Sequence, residues 1–310
     1  MLKIICSNTT NPFFNIATEE FLLKNKDEDF LFLYINEDSA IIGKHQNAFE
    51  EVSSEYIKSQ RIPVLRRISG GGTVVHDMGN INFSFIRKLE NIETLSYKQC
   101  IEPLQHFLAE TYCVDAHLSE RNDIQVDGKK VTGTAFHIYK DRIIAHGTLL
   151  INSNLSKISK ILNAPSSLFQ SKGVKSKRSR IMNLGGYKNI PTKLEVVTLD
   201  LIHYFEKKGG IYYDIESEIN KESIEKLIKQ KYNKWEWNIG YGPKFKFLKS
   251  LDNTNKTVMF HVEKGYITDS NILSEKLIEK KIPFKQGELA IELHKENSFE
   301  VVSIIEKYLL

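Results

Sequence analysis

Cysteine is scarce in this chain of 310 residues: the three present, Cys6, Cys100 and Cys113, lie far apart and form no CxxC pair. This spacing argues against a disulfide framework and favours a reducing compartment. No group of His, Cys and Asp residues has the spacing of a zinc site, which argues against a structural metal. We therefore expect three free thiols in or beside the core.

Long apolar runs are also absent. No stretch approaches the roughly 20 apolar residues of a membrane-spanning helix. The first residues, MLKIICSNTTNPFFN, lack the layout of a signal peptide because their apolar stretch is short and is followed by Asn and Pro. These absences predict a soluble, cytoplasmic protein.

An excess of either charge is the third absence. Lys and Arg number 43 against 39 Asp and Glu, which leaves a net charge of +4. Because the basic residues are mostly dispersed, we expect no nucleic-acid partner, although a local cluster can still bind an anionic small molecule. The length allows one large domain, or a large one and a small one.

Hydrophobic periodicity and turn residues predict an α+β fold with mixed, mostly antiparallel sheets and flanking helices. Strands are predicted at 30–36, 40–43, 62–68, 73–76 and 81–86. An antiparallel meander is predicted at 123–152, with hairpin turns at Asp127-Gly128 and Lys140-Asp141. Helices are predicted at 14–25, 97–112, 156–162, 194–208 and 223–232.

The pattern changes near residue 245, after Gly240, Gly242 and Pro243. Strands are predicted at 244–248, 258–268 and 289–294, and helices at 274–281 and 299–309. The sequence therefore predicts a large domain at 1–244 and a small α+β domain at 245–310.

The segment SGGGT at 69–73 joins two predicted strands. Glycines without a β-carbon let the backbone approach a ligand and present N–H groups to a phosphate or carboxylate. The segment is neither a Walker A loop nor a GxGxxG turn that opens a helix. Arg66 and Arg67 precede it, and a guanidinium is a bidentate partner for phosphate. Neighbours on a strand point to opposite faces, so only one of them can face a pocket, and the other can be a surface charge.

Lys129 and Lys130 also divide between two faces of a strand. Lys130 opens KVTGTA, whose small residues would let a ligand lie against the sheet, and RIIAHGTLL pairs back beside it. An enzyme that joins a carboxylate to ATP must bring two anions together, and a lysine between them is suited to contact both.

Taken together, these segments resemble the lipoate–protein ligase family, part of the biotin/lipoate protein ligase superfamily. The resemblance covers nearly the whole chain, in blocks that follow the order of the family. The blocks are GKHQN (43–47), RRISGGGTVVHDMGNINFSF (66–85), RNDIQVDGKKVTGTA (121–135), HGTLL (146–150), KGVKSKRSRIMNL (172–184) and WEWNIGYGP (235–243). By this resemblance 1–244 would be the catalytic domain, 172–184 a mobile adenylate-binding loop and 245–310 the accessory domain.

The resemblance implies a two-step, ATP-dependent ligase that uses Mg²⁺. Lipoate or octanoate would attack the α-phosphate of ATP to give an acyl-adenylate and pyrophosphate. A lysine of an acceptor lipoyl domain would then take the acyl group and release AMP. The implied acceptors are acyltransferase subunits of 2-oxoacid dehydrogenases and the glycine cleavage H protein. No nucleic-acid or membrane partner is implied, and we expect a monomer.

The resemblance also assigns roles to residues. Lys130 would be catalytic and would contact both the lipoyl carboxyl oxygen and the phosphate. The residues implied to bind ATP or lipoyl-AMP are Arg67, Gly72, Thr73, Val74, Val75, His76, Asn80, Asp123, Lys130, Lys175 and Arg178. The residues implied to bind lipoate are Tyr34, Gly71, Gly72, His76, Lys130, Gly133, Ala135, His146 and Gly147. No metal ligand is assigned.

One departure concerns the acyl pocket: many relatives carry two histidines before GTLL, and here Ala145 precedes His146. Ala145 could widen the pocket or fill a position without ligand contact. The signature also has Thr73 where alanine is frequent.

Three alternatives stay open. An octanoyl or lipoyl acyltransferase of the same fold would use a cysteine nucleophile, but no cysteine lies beside the lysine block or at 167–173. Biotin ligation is disfavoured because a GRGRxGR-type loop is absent. The third alternative is a non-catalytic lipoate-binding or regulatory module.

Overall fold

The structure is a computed structural model that describes residues 1–89, 95–251, 257–296 and 299–310. Its strands are β1 Leu2–Cys6, β2 Asp29–Tyr34, β3 Ser39–Ile42, β4 Val64–Arg66, β5 Val74–His76, β6 Asn80–Lys88, β7 His117–Leu118, β8 Ile124–Val126, β9 Lys129–Tyr139, β10 Arg142–Leu150, β11 Phe169–Ser171, β12 Ile211–Tyr212, β13 Phe245–Ser250, β14 Thr257–Glu263 and β15 Tyr266–Ser270.

Its α-helices are α1 Pro12–Asn25, α2 Ala48–Glu51, α3 Ser54–Gln60, α4 Tyr97–Tyr112, α5 Leu155–Ile161, α6 Leu194–Lys207, α7 Ile215–Glu218, α8 Lys221–Leu227, α9 Glu275–Ile278, α10 Glu288–Glu296 and α11 Phe299–Glu306. Short 3₁₀ or π turns occur at Ser166–Leu168, Ile228–Tyr232 and Glu236–Gly240. Among the helices of the described ranges, none is both long and apolar enough to cross a membrane.

The largest sheet has eight strands in the order β12-β1-β2-β6-β10-β9-β8-β7. Its pairs are antiparallel except that β1 runs parallel to β2 and to β12. A second sheet of three strands, β4-β3-β5, holds both ends of the glycine-rich segment. The predicted α+β fold with mixed, mostly antiparallel pairing is confirmed.

The predicted meander is confirmed as the antiparallel strands β8, β9 and β10. At the β8–β9 turn, Asp127 has φ 49° and Gly128 has φ 68°. Two consecutive positive φ values are what a two-residue hairpin turn with the twist of its strands requires. The turn fixes the register of β9, and with it the faces of Lys129 and Lys130.

The two faces of the large sheet are covered by different helices. On β2, Leu31 and Leu33 belong to the core shared with α4 and α6, while Phe30 and Phe32 pack on the face shared with α1. This division follows from the two-residue repeat of a strand. Helix α1 begins at Pro12 and is capped by Asn11, whose side chain accepts from the backbone N–H groups of Phe13 and Phe14.

The last part of the chain forms a four-stranded antiparallel sheet in the order β11-β13-β14-β15, packed with α9, α10 and α11. Residues 289–294, predicted as a strand, lie in the helix α10, so that prediction is wrong. Leu289, Ala290 and Leu293 are buried and Ile291 is 60% exposed, which is helical spacing rather than alternation.

The core of this last part also includes residues from well before 245. Phe49 and Phe169 pack against Phe245, with ring centroids 5.4 and 5.8 Å apart. The strand β11 belongs to the same sheet as β13. A boundary near residue 245 therefore divides a shared apolar core and stays a prediction.

Candidate active site

Two neighbouring cavities of about 360 and 460 Å³ lie beside the glycine-rich segment. They share a wall formed by β5, the start of β9, β10 and the loop of residues 174–179. The shared residues are Thr73, Val74, Lys130, Gly133, Thr148, Lys175, Ser176, Lys177 and Ser179. The first cavity continues to Tyr34, Ile41 and His146, and the second to Leu150, Ile158 and Leu162.

Arg67 fixes the conformation of the glycine segment at the wall of the first cavity. Its Nη2 donates to the carbonyls of Gly70 and Gly72 at 2.6 and 2.8 Å, and its Nη1 donates to Ile41 at 3.0 Å. Burial lowers the pKa of Arg67 to about 10, which leaves a cation at neutral pH. The side of the cavity that Arg67 lines therefore carries a positive charge, which suits an anionic ligand.

Backbone conformation explains one of the glycines, and close packing of the backbone explains another. Gly71 has φ 85°, a conformation that favours glycine. A β-carbon on Gly43 would lie 2.1 Å from the carbonyl oxygen of Gly71. The turn after β3 and the glycine segment therefore pack directly on one another.

Arg66 is not a surface charge. It is fully buried and points away from both cavities, where its Nη1 donates to Gly43, Lys44 and Gln46 at 3.0, 3.1 and 2.7 Å. Its Nε donates to the carbonyl of Trp237 at 3.0 Å. The opposite faces of the two arginines follow from strand alternation, and Arg67 is the one that lines the cavity.

Lys130 lies at the wall between the cavities, and its neighbour Lys129 is exposed. The ammonium is 3.0 Å from Asp123 Oδ1. The backbone of Lys130 is fixed by two hydrogen bonds. Its N–H donates to the carbonyl of Arg180 at 2.8 Å, and its carbonyl accepts from the N–H of Met182 at 3.1 Å. A β-carbon on Gly133 would meet the Lys130 Nζ at 3.1 Å, so the glycine makes room for the side chain.

A buried hydrogen-bonded chain runs behind the first cavity from Arg67 to Glu19. Arg67 Nε donates to Ser69 Oγ at 2.9 Å, and Ser69 Oγ lies 2.6 Å from His146 Nε2. His146 Nδ1 lies 2.9 Å from Glu19 Oε2, and Tyr34 donates to Glu19 Oε1 at 2.9 Å. A carboxylate only accepts, so Nδ1 carries the hydrogen that Glu19 accepts. In the neutral ring Nε2 is then an acceptor, and the hydroxyl of Ser69 donates to it.

His76 lines the first cavity through a different set of contacts. The amide of Asn36 donates from Nδ2 to His76 Nδ1 at 2.8 Å, because its Oδ1 accepts from Asn15 at 2.8 Å. The imidazole hydrogen is therefore on Nε2. Burial, and after it the charge of Arg67, lowers the pKa of His76 to about 3. The ring is a neutral donor at neutral pH.

The basic segment 172–184 lies across the cavities. Lys175 Nζ is 3.4 Å from Glu50 Oε1, and Ser176 donates to the buried Glu51. Ser176 Oγ also accepts from the backbone N–H of Thr73 at 2.8 Å. The lysines and arginines of the segment are exposed, and Arg178 and Val75 line the second cavity.

Most of the residues chosen from the sequence come together at these cavities. The first cavity is lined by Tyr34, Arg67, Gly71, Gly72, Thr73, Val74, His76, Asp123, Lys130, Gly133, Ala135, His146, Gly147 and Lys175. Asn80 lines neither cavity: its amide donates to Asp77 Oδ1 at 3.0 Å and supports the turn before β6. Ala145 lies in the core beside α4 and α6, so it neither contacts nor widens the first cavity.

Sequence reasoning missed Glu19, Ser69, Glu51 and Ser176. In the sequence, Glu19 is an ordinary polar position of a predicted helix. Only the fold places it beside His146. Gln46 stood in the GKHQN block, but nothing in the sequence assigned it a contact. Among the described residues, no group of three or more His, Cys, Asp or Glu side chains could hold a metal ion.

Comparison with known proteins gives a consistent result. A family model described as the lipoyl protein ligase A/B catalytic domain matches residues 11–206. Lipoate–protein ligase 1 of Staphylococcus aureus is 37% identical over 280 residues, which cover 88% of this chain and 85% of that protein. Lipoate–protein ligase LplJ of Bacillus subtilis is 37% identical over 282 residues, with coverage of 89% and 85%.

Two solved structures of similar proteins share this fold over most of the chain. LipL1 of P. falciparum, in complex with lipoate, superposes with a TM-score of 0.66 at 27% identity and covers 99% of both chains. A lipoate–protein ligase A bound with ATP gives a TM-score of 0.63 at 26% identity, with 77% of this chain and 98% of that chain covered.

Proposed function

The chain belongs to the lipoyl protein ligase A/B family, and from that premise we propose that it is an ATP-dependent lipoate–protein ligase. Lipoate, or octanoate, is activated to an acyl-adenylate with release of pyrophosphate. The acyl group is then transferred to a lysine of a lipoyl domain with release of AMP. The observation that carries this proposal is the position of Lys130 at the wall shared by two cavities.

The first cavity suits the acyl chain. Its inner end has apolar or aromatic walls from Ile16, Tyr34, Ile41 and Ala135. A chain bound there with its carboxylate toward Lys130 would leave the reactive oxygen at the wall between the cavities. The lysine offsets the repulsion between this carboxylate and the α-phosphate, which is largest as they approach.

The second cavity suits the nucleotide. Apolar side chains, including Leu150, Ile158 and Leu162, line one side, where a base can pack, and Arg178 lies at the rim. The glycine segment and Arg67 line the first cavity beside the shared wall, where their N–H groups and positive charge would face the phosphates. Asp123 orients the Lys130 ammonium at 3.0 Å between the two ligands.

Mg²⁺ fits this site as an ion that the nucleotide brings with it. Mg²⁺ is usually held by one or two carboxylates together with substrate phosphates, and not by a cage of protein ligands. Asp123 is the carboxylate that lines the first cavity, and Glu50 and Glu51 line the second. No group of three or more possible ligands exists in the described ranges. Bound there, Mg²⁺ would neutralise charge on the phosphates.

The cysteine-dependent acyltransferase receives no support from the geometry. None of the three cysteines lines either cavity: Cys6 lies beside a different one, Cys100 is buried and Cys113 is exposed. Burial also raises the pKa of Cys6 to about 11, which disfavours the thiolate.

Acyltransferase subunits of 2-oxoacid dehydrogenases and the glycine cleavage H protein are the expected acceptors. A monomer, a cytoplasmic location and an accessory unit at 245–310 also stay predictions.

The role of Lys130 is tested by Lys130→Ala with Lys129→Ala as the matched control. Both substitutions remove one lysine from β9, but only one removes the cation between the cavities. We expect Lys130→Ala to lower lipoate-dependent ATP–pyrophosphate exchange at least about 100-fold and Lys129→Ala to leave it within about twofold. Exchange by folded Lys130→Ala at the wild-type rate would contradict the assigned role.

A further inference from the structure

We propose that Gln46 is a positioning residue that ties the basic loop of residues 174–179 to the glycine segment. Gln46 is fully buried in the turn between β3 and α2 and lines neither cavity. It acts through Thr73 and Ser176, which line both. Its importance for adenylate formation rests on the proposed function, whereas its hold on the loop does not.

All four hydrogen-bonding positions of the amide are occupied. Oε1 accepts from the backbone N–H of Gly43 and from the hydroxyl of Thr73, both at 2.9 Å. Nε2 donates to the carbonyl of Val174 at 3.2 Å and to Ser176 Oγ at 3.1 Å. A backbone N–H can only donate and a carbonyl can only accept, so both ends of the amide are assigned and only an amide satisfies both.

The contacts of Ser176 fix the donor and the acceptor of each remaining hydrogen bond in this group. Its hydroxyl donates to Glu51, whose carboxylate also accepts from the Ser176 backbone N–H at 3.1 Å. The lone pairs of Ser176 Oγ are left for Gln46 Nε2 and for the backbone N–H of Thr73. Every donor in this group therefore meets an acceptor.

The backbone of the turn that contains Gln46 is fixed by the buried guanidinium of Arg66. Arg66 Nη1 donates to the carbonyls of Gly43 and Gln46 at 3.0 and 2.7 Å. Gln46 is thus a fixed point from which a loop with exposed lysines is positioned. Two lysines of that loop, Lys175 and Lys177, line both cavities, so their placement depends on a residue that contacts no ligand.

Limited digestion with trypsin tests the tie without any substrate. The exposed residues Lys175, Lys177 and Arg178 offer cleavage sites in the loop. Gln46→Met keeps the length of the side chain and removes both donors, so we expect cleavage in the loop to rise at least about fivefold. Gln105→Met removes an amide that donates to Ala116 at 2.7 Å, far along the chain from the loop, and should leave this cleavage unchanged.

Ser176→Ala is the second variant, and it decides the question if Gln46→Met does not fold. It removes the loop end of the tie, and we expect faster cleavage of the loop. The double variant should show less than the product of the two single effects, because the two changes share the hydrogen bond between Gln46 and Ser176. Cleavage of folded Gln46→Met, or of Ser176→Ala where the former does not fold, within twofold of wild type would overturn the proposal.

Kinetics give a readout that general damage to the fold would not. In ATP–pyrophosphate exchange, we expect Gln46→Met to raise the KM for ATP about tenfold and to leave the KM for lipoate within twofold. The reason is that no residue of the loop belongs to the apolar inner end of the first cavity, where the acyl chain is proposed to bind. Equal increases in both KM values would overturn the positioning role. If the wild-type protein shows no lipoate-dependent exchange, the proposed function fails, while the digestion experiment still tests the tie.

Discussion

The substitution Glu19→Gln tests whether the buried chain behind the first cavity sets the tautomer of His146. The change is nearly isosteric, but it replaces an acceptor-only carboxylate by an amide with one acceptor and one donor end. In the structure, Glu19 accepts from Tyr34 and Ser84 at Oε1. His146 Nδ1 lies 2.9 Å from Oε2 and 3.0 Å from Oε1. If the amide oxygen stays with the two hydroxyls, its NH₂ group faces the Nδ1 hydrogen.

The imidazole can escape this clash by moving its hydrogen to Nε2. Ser69 would then accept from both His146 and Arg67, and its own hydrogen would lose its acceptor. One charge-assisted hydrogen bond is weakened, at a cost of about 1.5–3 kcal/mol, and a buried hydroxyl is left unsatisfied, at about 1–3 kcal/mol. With partial relaxation we expect Glu19→Gln to lower the free energy of unfolding by roughly 2–4 kcal/mol.

Two measurements check this expectation. Chemical unfolding gives the change in stability, and ¹⁵N NMR of labelled histidine reports which ring nitrogen carries hydrogen. We expect the Nδ1–H form of His146 in the wild type and the Nε2–H form in Glu19→Gln. Retention of the Nδ1–H form together with unchanged stability would show that Glu19 does not set the tautomer of His146. His76, whose partner is Asn36, serves as the internal control.

Two further predictions concern stability. Arg66→Met leaves several buried carbonyls without their donor and should lower the free energy of unfolding by about 3–5 kcal/mol in chemical unfolding. Arg87→Met, which removes a guanidinium over the ring of Phe85, should lower it by less than about 1 kcal/mol. Equal losses would contradict the role of Arg66. In the folded protein the pKa of His76 is lowered from 6.5 to about 3. Between these two pH values the unfolded state binds more protons than the folded state. The stabilisation that comes from neutral His76 is therefore complete above pH 6.5 and is lost as pH falls toward 3. Between pH 7 and 5 this should remove about 2 kcal/mol from the wild type, a loss that His76→Gln would not show; identical pH profiles would rule it out.

Local rules account for what could be predicted from the sequence. Alternation along a strand put Lys130 and Lys129 on opposite faces, and the Asp127-Gly128 turn fixed their register. The same rule separated Arg67 from Arg66, although it could not say which one faced the cavity. The strand predicted at 289–294 failed because a short apolar run fits both periods, and only the buried and exposed positions identify it as a helix.

Contacts between distant parts of the chain could not be predicted in this way. Glu19 and His146 are 127 positions apart, and Thr73 and Ser176 are 103 apart. A glutamate in a helix and a serine in a basic loop carry no local signal of such a partner. Only the packing of α1 and of the loop against the sheet brings them to the site.

We propose that Lys130 lies between a lipoate cavity and a nucleotide cavity, and ATP–pyrophosphate exchange measures the reaction that this arrangement would catalyse. The purified chain is incubated with Mg²⁺, ATP and labelled pyrophosphate, with lipoate, octanoate or biotin supplied in parallel. We predict exchange with lipoate or octanoate that is well above the rate without an acid, and no exchange above that background with biotin. Background exchange with both lipoate and octanoate would contradict the assignment as a lipoate–protein ligase.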